Sequence, residues 1–147
     1  MKIVCLLFIL LCCNEITFGQ TLNKSIIGSW KILQTDHRSY SETDETWSFQ
    51  NTGKGTWDRV LMVSGNAIIC RLKNPFAWSI TDKKQIKIHL GKTTCSCKAS
   101  ESKFEKGLDK FIENLKAAFD NEYFEYKIKF SGDSVVYFDE LKLERKK

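Results

Sequence analysis

The sequence predicts a mainly-β chain of about eight antiparallel strands that close into a barrel, with one amphipathic helix over about residues 102–119, before the last two strands. Three observations predict this fold. Short segments alternate apolar and polar residues, turn-forming residues separate them at intervals of about ten residues, and one later segment changes to a helical period. The 147 residues suffice for one domain with a hydrophobic core.

The N-terminal segment, residues 1–19, is predicted to be a signal peptide, which leaves residues 20–147 as the domain. Lys2 precedes an apolar run over residues 4–13. That run is shorter than the roughly 20 residues of a transmembrane helix, and it is typical of a signal-peptide core. Small residues at Thr17 and Gly19 favour cleavage before Gln20. A buried N-terminal helix is the alternative, but the run lacks an amphipathic pattern. The chain is therefore expected to be secreted or otherwise extracytoplasmic, in the periplasm or at the cell surface.

Two cysteines at the end of the apolar run raise the alternative of a lipid anchor. Cys12 and Cys13 lie where a bacterial lipoprotein carries its acylated cysteine. The residue before that cysteine should be small, whereas Leu11 precedes Cys12. Free secretion is therefore favoured over an anchor, and no other segment of the sequence is long and apolar enough to span the membrane.

The formal net charge of +5 is spread along the chain. The one dense basic run is the C-terminal segment 144–147, which is typical of a solvated tail. No arginine-rich stripe interleaved with aromatic residues appears, so nucleic acid is not predicted as a partner.

Three cysteines follow the predicted signal peptide, at Cys70, Cys95 and Cys97. In an oxidising compartment we expect Cys70 to pair with Cys95 or Cys97, closing a loop of about 25 residues that stabilises the chain by roughly 3 to 4 kcal/mol. One thiol then remains. A Cys-x-Cys metal site is the alternative, but only His89 lies near in sequence and zinc requires four ligands. No metal is predicted.

Residues of alternating polarity predict the strands. Ile27, Trp30 and Ile32 mark the first, and a break is expected at the Lys73-Asn74-Pro75 segment because proline cannot donate to a strand ladder. The predicted strands cover residues 25–34, 45–50, 56–62, 67–72, 76–81, 85–90, 124–130 and 134–138, the last continuing towards Leu143.

A helical stripe separates the sixth predicted strand from the seventh. Its apolar members are Phe104, Leu108, Phe111, Ile112, Leu115 and Phe119. Ser102 and Glu105 have the spacing of a capping box, and Asp120 with Asn121 indicates the end. The stripe predicts packing across a barrel mouth or flank; a helix on a membrane surface is the alternative.

Five aromatic residues are the candidate ligand site. They share the strand faces that are predicted to point inward, and they are Trp47, Phe49, Trp57, Trp78 and Tyr126. An eight-stranded barrel has an interior that side chains fill or that holds one small ligand, and aromatic walls are typical of sites for apolar ligands. The alternative is that these side chains only fill the core. Trp30 is assigned to the closed end of the barrel.

No catalytic motif accompanies these residues. The sequence contains two histidines, His37 in a polar segment and His89 on the polar side of a strand, and it has no nucleophile elbow or phosphate-binding loop. A Cys–His pair of Cys95 or Cys97 with His89 lacks an orienting group. We therefore expect a protein that is not an enzyme and has no cofactor.

The first strand begins with Gly28-Ser29-Trp30, a Gly-x-Trp motif. A Gly-x-Gly turn follows the second strand at residues 49–55, a Trp-containing strand and its turn occupy residues 78–84, and the last strand covers residues 134–143. This series resembles the lipocalin-like domain family of secreted bacterial proteins. Lipocalins usually stack a late arginine on the Gly-x-Trp tryptophan, and Arg145, in the charged tail, is the one late arginine here.

The resemblance and the aromatic inventory together favour a secreted, non-enzymatic barrel that binds a small hydrophobic ligand. The alternative is a secreted or cell-surface interaction protein with a filled core, acting on a macromolecular partner through its loops or its helix.

Overall fold

A computed structural model describes residues 25–33, 41–63, 67–81 and 83–147. The predicted signal peptide, the lipid-anchor candidates Cys12 and Cys13, and His37 lie outside these ranges. Within them the chain forms nine strands and a helix of 12 residues, α1 (Leu108–Phe119), preceded by a 3-10 turn at Ser102–Phe104. The strands are β1 (Gly28–Ile32), β2 (Ser41–Phe49), β3 (Lys54–Val63), β4 (Ile68–Ile80), β5 (Gln85–Leu90), β6 (Thr94–Ala99), β7 (Tyr123–Ser131), β8 (Val135–Phe138) and β9 (Leu141–Arg145).

Eight of these strands form a closed antiparallel barrel, which confirms the predicted fold class. Each strand pairs with the next along the chain, β6 excepted, and β9 returns to pair with β1. The barrel is therefore an up-and-down meander of the lipocalin-like type. The connection that contains β6 and α1 links the end of β5 to the start of β7.

β4 is one continuous strand of 13 residues, and the predicted break at Lys73-Asn74-Pro75 is wrong. One edge of β4 pairs with β3 along its length, while the other edge pairs with β5 over Phe76–Ile80 and with β6 over Ile68–Lys73. Pro75 lies at the point where the partner of this second edge of β4 changes from β5 to β6. The Pro75 carbonyl accepts a hydrogen bond from Gly91 N–H at 2.7 Å on the same edge. The backbone N–H that proline lacks is therefore missing only at the point where β4 changes its partner strand.

The helix begins later than the sequence predicts. Ser102 starts the 3-10 turn instead of capping α1, whose N-cap is Gly107 at φ 92°. Neither the N-cap of the 3-10 turn nor that of α1 makes a side-chain hydrogen bond. α1 ends at Phe119 before Asp120, as expected. Three strands follow it rather than two, because Asp139, at φ 53°, turns the chain between β8 and β9.

The apolar residues form two adjacent cores. The larger fills the barrel and includes Trp30, Trp47, Phe49, Trp57 and Phe138. The smaller lies between α1 and β3, β4 and β6, with Leu61, Leu72, Cys70 and Leu115 as its buried members. Phe119 packs against both, so the last turn of α1 joins the connection to the barrel wall. Across the described ranges, no helix has the length and apolar character to cross a membrane.

Candidate ligand site

The five aromatic residues predicted to bind a ligand all point into the barrel and meet in one cluster. The rings of Trp47 and Trp57 stack with centroids 4.7 Å apart, and Phe49 meets Trp78 edge to face at 5.6 Å. Tyr126 stacks on Phe138 at 5.8 Å. Separations in this range are those of direct aromatic packing. The sequence therefore identified one interior surface; whether that surface holds a ligand stays a prediction.

Burial divides this cluster into a filled part and a more open part. Trp47, Phe49 and Trp57 are between 1% and 3% exposed, and Trp78 is 9% exposed. Tyr126 and its stacking neighbour Phe124, 5.9 Å away, are only half-buried. Phe124 and Tyr126 are therefore more accessible than the other rings of the cluster.

The indole N–H groups of the cluster differ in their partners. Trp57 Nε1 donates to Glu45 Oε1 at 2.6 Å, and Trp78 Nε1 donates to the carbonyl of Lys54 at 2.9 Å. Trp47 Nε1 is buried and has no hydrogen-bond partner among the described residues. A buried N–H of this kind costs free energy unless an acceptor reaches it, so it is a polar point on an otherwise apolar wall.

A buried polar network lies beside the aromatic cluster, and the sequence analysis did not identify it. Arg59 Nη2 donates to Asn74 Oδ1 at 2.9 Å, and Asn74 Nδ2 donates to Thr93 Oγ1 at 2.6 Å. Glu45 lies directly opposite Arg59 in the register of β2 and β3, and both are buried. Strand alternation contained the signal, because Glu45 and Arg59 are in phase with the inward-pointing Trp47 and Trp57.

The helix reaches this network through its last residue. The guanidinium carbon of Arg59 lies 3.6 Å from the ring centroid of Trp57 and 3.8 Å from that of Phe119. A cation held between two aromatic faces is stabilised by both rings. Phe119, in the last turn of α1, therefore packs directly on the buried polar network of the barrel.

Asp120, the residue after α1, is hydrogen-bonded to Thr93. Asp120 Oδ1 accepts the backbone N–H of Thr93 at 2.6 Å. This bond and the Thr93 hydroxyl, with smaller effects of Lys92 and Lys116, hold the pKa of Asp120 below its ordinary value of 3.8, although burial acts in the opposite direction. Thr93 is thus bonded to Asn74 inside the barrel and to Asp120 at the end of α1.

The opposite end of the barrel is closed around Trp30, as the sequence predicts. Trp30 is fully buried, and its Nε1 donates to the carbonyl of Ile26 at 2.7 Å. Arg145 covers the ring with its guanidinium carbon 4.3 Å from the centroid, and it donates to the carbonyls of Ser25 and Ile27. The arginine of the charged tail therefore occupies the position that the lipocalin resemblance implies.

The structure shows which of the two candidate cysteines pairs with Cys70. Cys70 pairs with Cys97, with a sulfur–sulfur distance of 2.05 Å, and Cys95 is a free, half-buried thiol. His89 is exposed on the outer face of β5, whereas Cys95 and Cys97 pack against the smaller core. The Cys–His pair considered from the sequence is therefore not assembled.

An outer cleft of about 640 Å³ lies on the barrel wall formed by β1–β4 and β6. Its lining is mainly polar and includes Ser29, Thr46, Ser48, Asp58, Arg71 and Lys73. None of the five predicted ligand residues lines it, although Arg59 of the buried polar network does.

Comparisons with known proteins give no relative for this chain. No family model, no curated protein and no solved structure matches it.

Proposed function

We propose that this chain is a secreted, non-enzymatic member of the lipocalin-like family that binds a small hydrophobic ligand inside its barrel. The observation that carries the proposal is the closed barrel with an aromatic inner wall, stopped at one end by Trp30 and Arg145 and covered at the other by α1. The Gly28–Trp30–Arg145 arrangement supports the family assignment. Secretion is supported by the apolar segment 4–13 and by the disulfide, which is typical of extracytoplasmic proteins.

Within the barrel, the ligand is proposed to lie against Tyr126 and Phe124 and to reach Trp57. Tyr126 and Phe124 are the more accessible rings of the aromatic cluster, and the buried Trp57 meets Phe124 edge to face, whereas Trp47, Phe49 and Trp78 form the floor. An apolar ligand in this position covers half-exposed rings, and such burial stabilises a complex by about 25 cal/mol for each Å² removed from water.

Titration of the purified protein with a hydrophobic fluorescent probe tests this proposal, together with native mass spectrometry of the protein as isolated. We expect saturable quenching of tryptophan fluorescence and a co-purifying apolar molecule. Tyr126→Ser should weaken probe binding about tenfold, or about 1.4 kcal/mol. Tyr123→Ser is the matched control, because Tyr123 lies on the same strand but is 52% exposed on the outer face. No quenching and no co-purifying molecule would remove the ligand-binding proposal.

The second candidate is an interaction protein with a filled core, acting on a macromolecular partner. Its support is the tight packing of Trp47, Phe49 and Trp57 together with the polar outer cleft. The same titration separates the candidates, because a filled core predicts a silent titration in a protein that remains folded.

The intact mass of the exported protein tests its processing. Cleavage before Gln20 without added mass supports free secretion, whereas an acyl adduct on Cys12 or Cys13 supports the lipid-anchor alternative. The same spectrum reports the disulfide as a loss of two hydrogen masses.

A further inference from the structure

We propose that Cys70, Cys95 and Cys97 form a binding site for one soft divalent metal ion, held by three thiolates, once the Cys70–Cys97 disulfide is reduced. The three sulfur atoms lie within 4.8 Å of one another. The proposal is independent of the barrel ligand, because the cysteines belong to the smaller core between α1 and β6.

The sulfur geometry supports this site. Zinc–sulfur bonds are about 2.3 Å long, so two sulfurs of a tetrahedral site lie about 3.8 Å apart. Cys95 Sγ and Cys97 Sγ are already 3.7 Å apart. Cys70 and Cys97 are directly opposite in the β4–β6 register with Cα atoms 4.1 Å apart, so the two paired strands keep both cysteines side by side.

Three leucines and two cations surround the sulfur atoms. Leu61, Leu72 and Leu115 pack around the sulfurs and exclude water from one side. Lys116 and Arg59 lie close enough to Cys95 for their positive charges to act on its sulfur. A metal ion displaces the thiol protons, and these two cations offset the negative charge left by three thiolates and one divalent ion.

Cys95 gives the site an entrance and its third ligand. Cys70 is fully buried, whereas Cys95 is partly exposed. A dithiol reductant transfers two electrons and two protons to the Cys70–Cys97 disulfide, is itself oxidised to a disulfide, and leaves two thiols. Binding then forms three metal–sulfur bonds and releases three protons to solvent, and water completes the coordination.

The test is a titration of the reduced, purified protein with Cd²⁺ in the absence of oxygen. Thiolate-to-cadmium charge transfer in the ultraviolet, native mass spectrometry and proton release are the readouts. We expect one Cd²⁺ per chain, three protons released, and no charge-transfer band when the oxidised protein is titrated.

Cys95→Ser is the decisive variant, because it retains the disulfide pair. After reduction it has two thiols and should bind Cd²⁺ at least about tenfold more weakly. Equal affinities of the reduced wild-type chain and Cys95→Ser would overturn the proposal. Near-ultraviolet circular dichroism monitors the fold: Cd²⁺ should preserve or restore the native signal, and a reduced chain that stays unfolded with Cd²⁺ would also overturn it.

Discussion

Arg145 covers Trp30, with its guanidinium carbon 4.3 Å from the ring centroid, and joins the last strand to the first. Its three nitrogens donate to the carbonyls of Asp133, Ile27 and Ser25 at 2.9, 2.9 and 2.6 Å. One side chain therefore bonds the β7–β8 turn, the segment before β1 and the buried indole. Arg145 therefore ties three separate parts of the chain together at the closed end of the barrel.

Arg145→Ala should lower the free energy of unfolding by about 2 to 3 kcal/mol, since it removes a cation–π contact and three hydrogen bonds. Arg145→Lys should recover little, because an ammonium group lacks the planar fork that reaches three carbonyls. Urea denaturation measures both variants. The neighbouring Lys146→Ala is the control, expected within about 0.5 kcal/mol of wild type. An equal effect of the two alanine variants would contradict the assigned role.

Gly28→Ala should destabilise the barrel by about 2 kcal/mol, because a side chain is strained at this backbone conformation and its Cβ meets Arg145. Gly28 has a φ of 130°, and an added Cβ lies 2.8 Å from Arg145 Nη1. Gly132→Ala is the control, with a positive φ of 70° but nothing within 4 Å of an added Cβ. It should cost about 1 kcal/mol.

The double variant Gly28→Ala/Arg145→Ala separates steric conflict from backbone strain. Arg145→Ala removes the atom that the added Cβ approaches. The double variant should therefore lose less free energy of unfolding than the sum of the losses in the two single variants. Strict additivity in denaturation experiments would show that Gly28 is required for its backbone conformation alone.

Asp120→Asn should remove a pH-dependent part of the stability. The pKa of Asp120 is lower in the folded chain than its ordinary value of 3.8, chiefly because Thr93 donates to the carboxylate. The stabilisation is therefore fully present above about pH 4 to 5 and is lost as the pH falls through the folded pKa. Thermal denaturation of wild type and variant should converge at low pH. Glu113→Gln, an exposed substitution in α1, is the control and should leave the pH profile unchanged.

The double variant Cys70→Ala/Cys97→Ala should lose about 3.5 kcal/mol, the chain-entropy estimate for this loop, with the lost sulfur packing in addition. The disulfide links residues 27 positions apart. Cys95→Ala is the matched control from the same strand and should lose about 1 kcal/mol or less. Guanidinium denaturation without reductant measures the difference. Equal stability of the double variant and the control would contradict a formed disulfide in the native chain.

Local pattern predicted the barrel well, yet the predicted strand count of eight agrees with the barrel for partly wrong reasons. The sequence divided β4 at Pro75 and joined β8 to β9, and these two errors cancel. Pro75 is tolerated because the strand changes partners beside it, which no local pattern reveals. Asp139 occupies a positive φ that local propensity favours in glycine. β6 was missed entirely, and its inner positions are held by Cys95 and Cys97 rather than by large apolar residues.

The candidate site was predicted in part, for a related reason. Alternation identifies which side chains point inward, so Trp47, Phe49, Trp57, Trp78 and Tyr126 were found together. It does not show how closely they pack, nor that Phe119 from α1 reaches Arg59. Those contacts depend on how the connection folds back over the barrel, a long-range property that neither period nor turn chemistry encodes.

The wall of the barrel is complete without the excursion between β5 and β7. His89 and Tyr123 are already register partners, and Leu90 N–H donates to the carbonyl of Glu122 at 2.8 Å. Residues 91–121, which contain α1 and two of the three cysteines, thus form an appendage on a wall that is closed without them. The length and sequence of this appendage can therefore change while the pairing of β5 with β7 keeps the barrel closed.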